Sequence, residues 1–140
     1  MNPSLYTVES LQLSLLAPHY CISKVSGDQG LKDLAETGVL AAIVEPTVIS
    51  VVHEKQVELK GCLDCEEDWR ALRIQGVLDF TLTGILHHVL SPLAANEISV
   101  LTYSSYDTDY ILIKNKDCDS ATRCLVDAGF DVITSEVGTC

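Results

Sequence analysis

The stretch from Trp69 to Ser135 constrains the chain most, because its hydrophobic period switches between two and 3.6 in a fixed order. Residues 69–77 alternate apolar and polar, with Ala71 the small exception, and predict a strand. From Leu82, apolar residues recur at Ile85, Leu86, Val89, Leu90 and Leu93, the spacing of one helical face. Thr81 or Thr83 can cap the start of that helix. Pro92 lies inside it, removes one bond to the carbonyl of His88, and predicts a kink. Residues 98–104 and 109–114 are β-branched and aromatic runs around Ser105, Tyr106, Asp107 and Thr108, which predicts a hairpin. Asp117 then caps a second helix with Ala121, Leu125 and Ala128 on one face, and Gly129 supplies its stop. Residues 130–135 form the last strand. The order βαββαβ predicts a ferredoxin-like α/β sandwich, with two helices on one face of a four-stranded antiparallel sheet.

The first half repeats this order more weakly. Residues 11–16 and 20–25 read as strands separated by Pro18, and Leu31, Leu34 and Ala35 suggest a short helix. Residues 38–45 and 48–52 form a hairpin about Pro46 and Thr47, with a helical fragment at 54–57. This is a degenerate βαββ unit whose missing strand comes from another part of the chain. Residues 54–68 are polar, contain Gly61 and read as a linker or loop. The chain therefore divides into two tandem units, 1–68 and 69–140.

At 140 residues, 47% hydrophobic and 21% charged, the chain can bury a real core and is not a disordered polymer. Twenty acidic against nine basic residues give a net charge of −11, which repels phosphate backbones and anionic lipid surfaces. Nucleic-acid partners are thereby disfavoured. No apolar run reaches the roughly 18 residues of a membrane span, and the start MNPSLYTVES shows no secretory pattern. A cytoplasmic location is expected.

Six cysteines in such an apolar chain read as reduced thiols, not as a disulfide framework. Cys62 and Cys65 form one CxxC, and His53 upstream is a candidate third ligand. Cys21, Cys118, Cys124 and Cys140 show no second pair at metal spacing. Glu66, Glu67 and Asp68 follow the CxxC and would raise a thiol pKa, against redox use. Loop thiols without a metal or cofactor are the expectation. Adjacent His87 and His88 point about 100° apart on a helix and lie off its apolar stripe, as solvated residues do. No nucleophile elbow, phosphate loop or dinucleotide fingerprint is present, so no catalytic residue is assigned and binding is favoured over catalysis.

The segment LDFTLTGILHHVLSPLAANEISVLTYSSYDTDYILIKNKD resembles the ACT-domain signature of small paired-ACT proteins related to the CASTOR arginine sensors. The resemblance is carried by Thr83-Gly84-Ile85 at the helix start, by Ile98-Ser99-Val100, and by the hairpin from Ser104 to Asp109. APHYCISKV and PTVISVV resemble the leading module of that group, whereas His87, His88 and the tail after Glu136 have no counterpart. The resemblance implies a regulatory fold that binds an amino acid at a unit or subunit interface.

An amino acid needs anion donors beside a carboxylate. The amides of Thr83, Gly84 and Ile85 begin a helix at the positive end of its dipole, and Gly84 allows close approach. Tyr106, Asp107, Thr108 and Asp109 supply the opposite side, with Asp107 or Asp109 for the ammonium. Asp79 can hold ligand or merely cap. The same glycine and aspartates would also serve a tight strand-to-helix entry and an Asx turn. Two functions follow: a ligand-binding regulatory module working as a homodimer, or an assembly domain that keeps the fold without a ligand. The run from Ile98 to Tyr103 has few charges, and an open strand edge of this kind invites pairing.

Overall fold

A computed structural model describes residues 11–28, 38–75 and 84–134. It divides into two compact units, one of Pro18–Trp69 and one of the flanking residues up to Ala17 and from Arg70.

In the second of these, β5 (Cys62–Ile74) contributes its C-terminal half, followed by α1 (Ile85–Ala95), β6 (Val100–Ser104), β7 (Asp109–Lys114), α2 (Cys118–Asp127) and β8 (Asp131–Thr134). This is the expected βαββαβ order. The sheet nevertheless has a fifth strand. β1 (Gln12–Leu15) lies between β5 and β8, antiparallel to β5 with Leu13 opposite Ile74, and parallel to β8 with Leu13 opposite Val132. β8 therefore joins the sheet through β1 and not through β5, and the sheet is mixed where a purely antiparallel one was expected. β7 pairs with both β5 and β6, and β6 pairs with β7 alone among the described strands.

The core of this unit is where the two hydrophobic periods meet. Leu13, Leu72, Ile74, Ile111 and Ile113 from the strands pack with Val89, Leu93, Ala121, Leu125 and Phe130. Val89 and Leu93 are the buried members of the predicted stripe on α1, while Ile85, Leu86 and Leu90 pack at its margin. Pro92 is inside α1, and its carbonyl accepts from Asn96 Nδ2 at 2.7 Å and Cys124 Sγ at 3.0 Å, which ties α1 to α2.

The helix ends correct two capping expectations. Gly84 occupies the N-cap of α1, at φ 78°; Thr81 and Thr83 lie outside the described residues. Asp117 is at the N-cap of α2, but its carboxylate makes no capping bond, because a 3₁₀ turn (Asn115–Asp117) leads into the helix and sets its φ at −100° with ψ near −1°. Gly129 ends α2 as expected. At φ 101° it lets its own N–H reach Val126 O and the Phe130 N–H reach Leu125 O, each at 3.0 Å, a Schellman closure.

The unit of residues 18–69 contains β2 (Tyr20–Ser26), β3 (Val39–Val44), β4 (Val48–Glu54) and the N-terminal half of β5, in the order β3-β4-β2-β5. All three pairings are antiparallel, with a small core of Val25, Ile49 and Val51. The missing strand is thus residues 62–69, all but Trp69 within the segment read as a linker. Its side chains from Cys62 to Asp68 are all exposed, so no apolar alternation marks it, and backbone pairing to β2 alone defines it. Asp68 sits at φ 67°, beside a bulge in the β2–β5 register, a conformation that Asp tolerates better than most residues. The expected helix at Leu31, Leu34 and Ala35 falls outside the described residues. No helix of the described residues is long and apolar enough to cross a membrane.

Candidate functional site

The 106–109 hairpin is built by its own hydroxyls. Ser105 Oγ donates to Thr108 O at 2.9 Å and accepts from the Thr108 N–H at 3.1 Å, closing the turn between β6 and β7. Ser104 and Asp109 are paired across the strands, and the Ser104 hydroxyl donates to Asp109 Oδ1 at 2.5 Å. Thr108 is 3% exposed and donates from Oγ1 to the carbonyl of Ile74 at 2.7 Å. Its side chain anchors the hairpin to the end of β5 and faces no solvent. Tyr106 is 82% exposed and Asp107 is exposed beside it. Of the four predicted hairpin residues, Tyr106 and Asp107 present their side chains to solvent, Asp109 is half-buried and shared with Ser104, and Thr108 is structural.

Thr108→Val keeps the shape and deletes the donor, leaving the Ile74 carbonyl without its buried hydroxyl. Unfolding in denaturant should show a loss of about 1–3 kcal/mol. A loss under about 0.5 kcal/mol, the scatter of an ordinary surface change, would show that this bond does not hold the hairpin.

The helix side of the predicted site has a different character. Gly84 is exposed, at φ 78° and ψ 0°, with no side-chain cap on α1. Its carbonyl accepts the His88 N–H at 3.0 Å, the first bond of the helix. Among the described residues a Cβ at Gly84 would touch only the His88 ring, at 3.8 Å, and the backbone angle itself favours glycine. Ile85 is half-buried against the core, and Thr83 and Asp79 lie outside the described residues. His87 and His88 are exposed, with their rings edge to face at 5.8 Å.

A second constellation escaped the sequence. Cys62 and Cys65 are in a strand and not a loop, and the Cys62 thiol donates to Asp64 O at 3.3 Å. An extended strand cannot draw residues three apart into a metal knuckle. Cys65 instead lies with Cys21 of β2 and His53 of β4, their ligand atoms all within 4.8 Å of one another. His53 and Cys65 are both candidates from sequence, whereas Cys21 belongs to no pair at metal spacing there. The only sequence signal for it would have been the strand register that places Cys21 opposite His53. Burial pushes the Cys21 thiol up to about 11, with the Cys65 thiol and Glu67 adding to the shift and Lys55 opposing it. Burial also raises the Cys118 and Cys124 thiols, so none of the three is a ready nucleophile at neutral pH.

Comparison with known proteins bears on the fold. A protein from Agobacterium tumefaciens superposes with a TM-score of 0.79 at 24% identity, covering 91% of this chain and 95% of its own. A Vibrio cholerae protein of unknown function, a possible transport protein, gives 0.67 at 19% identity over 87% and 92%. The ligand-free regulatory subunit of aspartate kinase from Thermus thermophilus gives 0.62 at 15% identity over 83% and 95%. No curated protein sequence matches the chain. Residues 64–127 match the ACT-domain family model, which spans β5 to the end of α2, and the fold of the chain is of the ACT type.

Proposed function

We propose that this chain is an ACT-type regulatory module that binds an amino acid between the start of α1, at Thr83, Gly84 and Ile85, and the hairpin of Tyr106, Asp107, Thr108 and Asp109. The observation that supports it best is Gly84. Its left-handed N-cap leaves the first-turn amides of α1 without a side-chain acceptor among the described residues, and the residue is open to solvent. A ligand carboxylate suits those amides, and exposed Asp107 suits an ammonium. The net charge of −11 favours a basic amino acid such as arginine or lysine, in keeping with the resemblance to arginine sensors. The module acts in the cytoplasm as a homodimer, with the ligand at the subunit interface, and catalyses no reaction. A likeness to the aspartate kinase regulatory subunit supports regulation by fold.

The second reading is an assembly domain without a ligand. It draws on β6, which pairs on one side only among the described strands and leaves Leu101 41% exposed.

A thermal-shift screen of the twenty amino acids separates the two. A basic amino acid at 100 times its Kd should stabilise the fold by about 2.7 kcal/mol. Asp107→Asn and Asp109→Asn should each weaken that binding by about 1.5–3 kcal/mol if they lose a charge-assisted bond, and Gly84→Val should block close approach to the helix start. If no amino acid shifts the transition while light scattering still returns a mass above the 15.2 kDa of one chain, the assembly reading replaces this one.

A further inference from the structure

Three strands of the 18–69 unit bring soft and borderline ligands to one face. Cys21 is opposite His53 in the β2–β4 register, and Ser23 is opposite Cys65 in the β2–β5 register. Residues two apart on a strand share a face, so Cys21 and Ser23 present their side chains together toward both partners. Cys21 and His53 are 3% and 4% exposed, whereas Cys65 is exposed and offers a way in.

The imidazole is already oriented for ligation. His53 Nδ1 is 2.9 Å from the carbonyl of Glu54, which can only accept, so Nδ1 carries the ring proton. Nε2 then presents its lone pair to the cluster and accepts from the Ser23 hydroxyl at 2.7 Å. A backbone carbonyl that holds the far nitrogen of a histidine is the usual outer support of a metal ligand. The Ser23 hydroxyl can rotate away, since a hydroxyl also donates elsewhere.

From this geometry we infer that Cys21 Sγ, His53 Nε2 and Cys65 Sγ form a zinc site. Two thiolates and one imidazole select zinc among the common divalent ions, and leave a fourth tetrahedral position for water or an incoming group. Ligand atoms around zinc stand about 3.4–3.8 Å apart, a contraction of about 1 Å from the observed limit, within side-chain reach. Binding releases one proton from each thiol, so the ion enters as Zn²⁺ and leaves a neutral Zn(S⁻)₂ centre. Glu67 and Lys55 both face Cys21, with opposite effects on its charge, and the chain's overall −11 draws the cation in. Neither the ACT-type fold nor amino-acid binding requires this site.

The test uses the full chain, reduced and metal-free, titrated with Co²⁺ and then with Zn²⁺ against a chromophoric chelator. One equivalent of Co²⁺ should produce tetrahedral visible bands and a thiolate charge-transfer band, both bleached by Zn²⁺. Cys21→Ser, Cys65→Ser and His53→Gln should each lower zinc affinity at least tenfold, while Cys62→Ser and Cys124→Ser leave it unchanged. Cys65→Ser changes an exposed residue, so it reads the site even if Cys21→Ser fails to fold. Apparent affinity should rise with pH, because metal binding displaces thiol protons. Equal affinity in Cys65→Ser and the parent, loss of binding in Cys62→Ser, or a Cys21–Cys65 disulfide with no cobalt spectrum in the reduced chain would each overturn the assignment. These readouts do not depend on amino-acid binding.

Discussion

Leu13→Ala should lower the free energy of unfolding by about 3–5 kcal/mol, the upper part of the range for a fully buried leucine. Leu13 is 0% exposed and belongs to a strand of only four residues. That strand is nonetheless internal. Leu13 is opposite Ile74 on one side and Val132 on the other, and its side chain joins the cluster of Leu72, Val89, Leu93, Ile111 and Leu125. Neighbours on both sides cannot collapse into the space, so the cavity term is added in full. Guanidinium titration of the variant measures the change directly. A loss below about 1 kcal/mol is what an edge residue gives, and would show that β1 does not complete the sheet.

Raising the pH from 8 to 11 should destabilise the metal-free chain, with Cys21 contributing about 2 kcal/mol of the loss. The sign follows from burial. In the fold the Cys21 thiol is pushed up to about 11, whereas an unfolded thiol titrates near 9.0. Between those values the folded state binds more protons than the unfolded one, so stability falls as pH rises. The contribution is complete below pH 9 and gone above pH 11. Cys118 and Cys124, also raised by burial, add in the same direction. Urea midpoints across this range should fall more steeply for the parent than for Cys21→Ala. Equal slopes would mean that Cys21 is solvated in the folded protein.

Legibility along the chain followed the side chains. The helices announced themselves, since Val89, Leu93, Ala121 and Leu125 recur at helical spacing and are all fully buried. β7 was equally plain, because Ile111 and Ile113 alternate into the core. The 62–68 half of β5 was invisible, since its side chains are all exposed and no apolar alternation marks its backbone pairing with β2. The candidate ligand site split along the same line. Gly84 and the Ser105–Thr108 turn were readable from local chemistry, but nothing local shows that Thr108 is anchored to Ile74.

By itself the sequence determined α1, α2 and the core-facing strands of their unit, the glycine closure of α2, the charge that repels polyanions, and the ACT-type order of strands and helices. Those properties depend on spacing within a dozen residues, where period and turn chemistry act directly. Tertiary structure alone decided which strands became neighbours. It placed β1 between β5 and β8, paired residues 62–69 with β2, and set Cys21 beside His53 and Cys65. Strand pairing joins backbone groups that every residue carries, so the partner of a short strand is settled by which fold buries its apolar face and satisfies its N–H and C=O groups, and no local pattern records that choice.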